Sequence, residues 1–130
     1  TVDKGRKMVA VDASGLELRC LAHYINDPVY TKEITTGDIH EFTRQLVELP
    51  TRDDAKTFTY GVIFGAGDAK TGEIVGGNAS DGSKLKQRFL KGVKGFGALL
   101  EWVRAEGSSG VIGGLDGRPL RLRLNSQGEP

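Results

Sequence analysis

Hydrophobic and polar positions change period several times along this chain. Lys7-Met8-Val9-Ala10-Val11-Asp12 is a short apolar run closed by an acid, and it predicts a buried strand. Leu16, Leu18, Cys20, Leu21, Tyr24 and Ile25 then recur at roughly helical spacing. Ser14 is their start signal, and Glu17 stands three residues later in the capping-box position. Asn26-Asp27-Pro28 stops that helix, and residues 29–37 read as a loop. Asp38 is the expected N-cap of a helix from Ile39 to Leu49, which Pro50 ends. Thr51 opens another helix, running to about Gly65, with Asp53 and Asp54 in its first turn. Shorter helices are expected at 69–75 and 81–93. One more is expected at 96–106, through Leu99, Leu100, Trp102 and Val103, with Trp102 as a core residue. Val111 to Leu122 reads as a β-hairpin turning at Asp116-Gly117, and Asn125 to Pro130 as a frayed end.

The fold class is therefore α/β, strongly α-rich, in three stretches: 1–25 (strand and helix), 26–110 (helical) and 111–130 (hairpin and end). The strand and the distant hairpin need a sheet to complete. The pattern thus describes a segment of something larger.

A length of 130 residues fits one domain. No apolar run approaches the ~20 residues of a membrane span, so no membrane partner is expected. A single cysteine, Cys20, excludes an internal disulfide framework and fits a reducing compartment. Cys20 and His23 share a helix but lack further ligands for a metal. Charge is uneven, with 6 Lys/Arg against 8 Asp/Glu in residues 1–50 and 12 against 9 in residues 51–130. Lys84, Lys86, Arg88, Lys91 and Lys94 form an acid-free stretch, and Arg118, Arg121 and Arg123 another. Each is either a solvated face or a contact for nucleic-acid phosphates. The 19 glycines crowd after residue 60, a density that fits tight turns or a backbone approached closely by something else.

Two places carry candidate chemistry. Asp12 ends a strand where α/β proteins commonly bind ligands; a carboxylate beside small residues is half of a Mg²⁺ site, or merely a helix cap. The second place is the helix from Thr51. Arg52, Lys56, Tyr60 and Phe64 recur every four residues and share one face. The cations lie at the N-terminal end, where the helix dipole alone disfavours them and where a polyanion would be held by both. The alternative is a helix with solvated cations and an inward-packed Tyr60.

The runs D-A-S-G-L-E-L-R-C-L-A-H-Y, G-D-I-H and L-P-T-R-D-D-A-K-T-F-T-Y-G-V-I-F-G-A-G-D resemble, in that order, the family A DNA polymerases, of bacterial polymerase I-like and especially phage type. The resemblance spans about residues 8 to 123. It implies that 1–25 is a piece of the palm, 26–110 the fingers and 111–130 a hairpin returning to the palm. Asp12 and the Ala13 carbonyl would bind Mg²⁺ in a two-ion site. Glu17 would block a ribose 2′-hydroxyl, in competition with its capping role. His40, Arg52 and Lys56 would grip the incoming dNTP, and Arg52 and Lys56 would count with Asp12 as catalytic. Tyr60 would lie near the base and sugar. Gly61, Phe64 and Arg118, with Gly117, would approach the template DNA.

The chain departs from the family pattern at Phe64, where a second Tyr is usual. It also lacks the H-D-E motif that supplies the second metal carboxylate, and two-metal chemistry needs both. The isolated chain is accordingly expected to be inactive, its site completed by the remaining polymerase polypeptide. The implied partners are a primer-template and dNTP, in the cytoplasm of a phage's or prophage's bacterial host. A non-catalytic nucleotide- or DNA-binding module and one subunit of a split polymerase are the alternatives.

Overall fold

The computed structural model describes residues 5–123, so the end expected to fray lies outside the described residues. Seven helices and one hairpin follow in order: α1 Leu16–Ile25, α2 Pro28–Thr35, α3 Ile39–Val47, α4 Arg52–Ile63, α5 Asp68–Glu73, α6 Ala79–Gly92, α7 Phe96–Gly107, β1 Val111–Gly113 and β2 Pro119–Arg121. The α-rich α/β class holds.

Helices α2, α3, α4 and α6 start on side-chain caps. Asp38 accepts from the His40 and Glu41 amides at 3.0 and 3.1 Å. Asn78 accepts from Ser80 and Asp81 at 2.8 and 3.4 Å and opens α6 two residues earlier than the apolar spacing indicates. The hairpin pairs Val111 with Arg121 and Gly113 with Pro119. Its turn is a three-residue loop with Gly117 left-handed at φ 78°, in which the Gly114 amide donates to the Arg118 carbonyl at 2.8 Å.

Four expectations are corrected. Residues 7–12 form no strand; Met8, Val9 and Val11 are 74%, 82% and 94% exposed, because no described strand runs beside them to take their backbone hydrogen bonds. The Ser14–Glu17 capping box does not form: the N-cap is Gly15, left-handed at φ 60° and without a side-chain cap. Most of the loop expected at 29–37 is α2. Asn26 caps the end of α1 and Asp27 starts the next helix, accepting from Val29 and Tyr30 at 2.9 and 3.3 Å, with Pro28 at the first helical position, where its missing N–H costs nothing. Trp102 is 44% exposed rather than core; it borders an apolar groove with Tyr24, Leu99 and Leu115.

The core is one cluster drawn from most of the helices: Leu18, Leu21, Ala22 and Ile25 of α1, Tyr30, Val47, Ala55, Phe58, Leu85, Phe89 and Phe96. Its centre is aromatic. Phe58 meets Phe89 edge-on at 5.6 Å, and Phe89 meets Phe96 likewise at 5.3 Å; such pairs contribute about 0.5–1.5 kcal/mol beyond area burial.

The basic stretch of α6 is largely engaged within the fold. Lys84 pairs with Asp81 at 3.3 Å, Lys86 with Asp68 at 2.8 Å and Arg88 with Glu48 at 2.6 Å. Lys86 also donates to the Ala66 carbonyl. Glycine explains how closely α5 and α6 approach. A Cβ on Gly82 would stand 1.9 Å from the Asp68 carbonyl oxygen, and one on Gly72 would stand 2.0 Å from that of Asn78. The close approach expected from glycine density is thus made partly by neighbouring backbone.

Gly82→Ala should therefore destabilise the chain by about 1–3 kcal/mol through overpacking. Gly97→Ala, with nothing within 4 Å of the added carbon, should be neutral or slightly stabilising. Thermal melts of the two variants test this, and equal Tm values would remove the backbone contact as the reason for Gly82.

Candidate functional site

Helix α4 has two unlike faces. Ala55, Phe58 and Thr59 are fully buried in the core, which turns Arg52, Lys56 and Tyr60 away from it. Its start is fixed by a reciprocal cap: Thr51 Oγ1 accepts from the Asp54 amide at 3.0 Å, and the Asp54 carboxylate accepts from the Thr51 amide at 3.2 Å.

The outward stripe meets three other elements around a polar cleft of about 400 Å³. The start of α1 supplies Ser14, Gly15, Leu18 and Arg19; the end of α2 supplies Glu33 and Ile34; the start of α3 supplies Asp38, Ile39 and His40. His40, Arg52, Lys56 and Tyr60, singled out by sequence on two separate segments, therefore line one space. The His40 and Tyr60 rings lie 6.1 Å apart at 43°, and Phe64 stacks on Tyr60 at 6.3 Å and 15°.

Two carboxylates, Glu33 and Asp38, line the cleft with its cations, and Asp38 is tied to one of them. Arg52 Nε donates to Asp38 Oδ2 at 2.7 Å. That bond, with the amide of Glu41 next, holds the Asp38 carboxyl down to about 2. His40 is pushed below its ordinary value, first by burial and then by the Arg52 charge; Lys56 acts in the same direction and Asp38 opposes. Its imidazole is accordingly neutral near pH 7, and its buried Nδ1 has no hydrogen-bond partner among the described residues. The cleft thus offers Arg19, Arg52 and Lys56 as cations beside a neutral imidazole. This is chemistry suited to a polyanion.

Other residues named from sequence lie apart. Asp12, Ala13 and Glu17 are exposed and do not line the cleft. Gly61 faces a second hollow, with Thr57, Ala66 and Thr71. Phe64 is 71% exposed at the C-cap of α4. Arg118 is on the hairpin, ion-paired with Asp116. Among the described residues no group of three or more His, Cys, Asp or Glu is gathered to hold a metal ion. Sequence reasoning missed Arg19 and Glu33 as lining residues, and it saw Asp38 only as a cap. The one available signal for Arg19 was its place at the end of the D-A-S-G-L-E-L-R run.

Known proteins carry the same sequence features. A sequence model described as DNA polymerase family A matches residues 1–127. The chain is 44% identical over 131 residues to the DNA-directed DNA polymerases of Enterobacteria phage T3 and of Escherichia phage T7, covering 87% of this chain and 19% of each relative. It is 30% identical over 119 residues to DNA polymerase I of Aquifex aeolicus, covering 80% of this chain and 21% of that protein. The chain thus spans only a small part of the relatives it matches, whereas the family match takes in almost all of the chain: it belongs to DNA polymerase family A.

Proposed function

We propose that this chain is the nucleotide-gripping part of a DNA-directed DNA polymerase, and that the cleft receives the triphosphate of an incoming deoxynucleotide. The observation that carries the reading is the convergence of His40, Arg52, Lys56 and Tyr60 on one polar cleft. In the reaction, a primer 3′-hydroxyl attacks the α-phosphorus, the hydroxyl proton is lost, and the bond to pyrophosphate breaks. Such a step asks the protein chiefly for positioning and charge neutralisation. Arg52 and Lys56 neutralise and orient the phosphates. Neutral His40 donates a hydrogen bond to them, and Tyr60 lies against the sugar and base.

Glu17 is exposed, stands in sequence between the lining residues Gly15 and Leu18, and has no capping role, which supports its assignment as the group that excludes a ribose 2′-hydroxyl. Gly61, Phe64 and Arg118 are assigned to the template strand. Asp12 and the Ala13 carbonyl are adjacent oxygen donors of the kind Mg²⁺ takes. They are too few to hold two ions, so the remaining ligands would come from the rest of the polymerase polypeptide. A bound Mg²⁺ would stabilise charge on the transferring phosphoryl group.

One observation favours dependence on that polypeptide. Residues 7–12 carry a strand-like sequence with its apolar side chains exposed, and in this reading they pair with strands supplied from outside the chain. The isolated chain then binds nucleotide without turning it over, and the working site is in the cytoplasm of a bacterial host. No helix among the described residues is long and apolar enough to cross a membrane.

Lys56→Ala should weaken dNTP binding by roughly 10- to 100-fold, the worth of one charge-assisted hydrogen bond; unchanged affinity by calorimetric titration would take Lys56 out of the phosphate site. The His40 ring should titrate below its ordinary value in the free protein and rise when dATP is added, because the polyanion favours the imidazolium. An NMR pH titration that shows no rise would separate His40 from the phosphates. Asp12→Asn should abolish primer extension by the polymerase assembled with its remaining polypeptide while leaving metal-free dNTP binding within about twofold; retained turnover would remove Asp12 from the metal site.

A further inference from the structure

We propose that Asp38 is the positioning residue of the phosphate grip, holding Arg52 by one edge so that its other edge faces the anion. The proposal rests on the triphosphate reading of the cleft and adds a residue to it.

The geometry divides the work of one carboxylate. Oδ1 accepts from the His40 and Glu41 amides at 3.0 and 3.1 Å, fixing the start of α3. Oδ2 accepts from Arg52 Nε at 2.7 Å, across 14 residues of sequence. The same side chain therefore ties the helix that carries His40 to the helix that carries Arg52. The contact to Arg52 is made at Nε alone, and neither terminal nitrogen donates to another described residue. A guanidinium held in this way presents its Nη edge for the paired hydrogen bonds that phosphate oxygens accept. Arg52 is half exposed and has Asp53 and Glu41 within electrostatic reach, so without Asp38 it has other carboxylates to turn toward. As an exposed ion pair the contact adds little stability; its effect is on direction.

The test uses inorganic triphosphate as the probe, with affinities measured by calorimetry on the full polypeptide and on three variants. Asp38→Asn keeps an amide oxygen for the α3 cap, since Asn caps as well as Asp, but it loses the charge that holds Arg52. It should weaken binding about three- to fivefold, the range an exposed ion pair transmits. In an Arg52→Ala background the same change should cause no loss. It should instead strengthen binding about twofold, because only repulsion between the carboxylate and the polyanion is then removed. A role confined to capping α3 would leave affinity unchanged on Asp38→Asn, because Asn keeps the cap; that result overturns the proposal, as does an equal loss in both backgrounds. Failure of the unmutated protein to bind triphosphate would instead overturn the function proposed for the cleft, and this inference with it.

Discussion

The burial of one face of α4 sets the direction of the rest of the site. Helix α4 packs mainly against α3, Phe58 meets Phe89 of α6 edge-on in the core, and Ala55, Phe58 and Thr59 together fix how α4 is rotated about its axis. With Ala55, Phe58 and Thr59 committed to the interior, residues 52, 56 and 60 have only one direction left. The polar stripe is thus a consequence of apolar packing, and the cleft forms where that stripe meets the ends of three other helices. Ion pairs from α6 reach the start of α5 and the end of α3, so cations left open to a nucleic-acid reading are partly engaged within the fold.

Much of this was legible in the sequence wherever one residue had one thing to do. Asp38 and Thr51 mark helix starts because a short acceptor side chain before an apolar run has few other uses. The four-residue spacing of α4 identified its outward face without any knowledge of what lay opposite. The readings that missed involve residues with two uses. The stop read at Asn26-Asp27-Pro28 holds, since α1 ends at Ile25; what the loop expected at 29–37 missed is that the same Asp27-Pro28 pair is also a good start, with an acceptor at the N-cap and a ring that needs no N–H partner. Trp102 was assigned to the core by size alone, although its helix buries Phe96 and Gly107 and leaves the ring at the border of a groove. Residues 7–12 have the composition of a strand, but a strand is defined by neighbours, and none is described beside them.

The candidate site divides along the same line. Residues on α3 and α4 converge because both helices are fixed by the shared core. Asp12 and Ala13 stay apart because the segment carrying them has no packing of its own. Local spacing located the cleft-facing residues of α4. It did not reveal the tie between Asp38 and Arg52, since a contact across 14 positions leaves no periodic trace, nor the entry of Arg19 and Glu33 into the lining.

The exposed stretch at 7–12 also bears on how the molecule behaves in bulk solution. A run with high β-propensity and no described strand beside it is a template for intermolecular strand addition. Lys7 and Asp12 flank it as charged gatekeepers that slow such addition without abolishing it. Under the proposed pairing with strands from outside the chain, colloidal behaviour and assembly would be encoded in the same six residues. Substitutions that make the isolated chain easier to keep monomeric would then act on the proposed assembly surface.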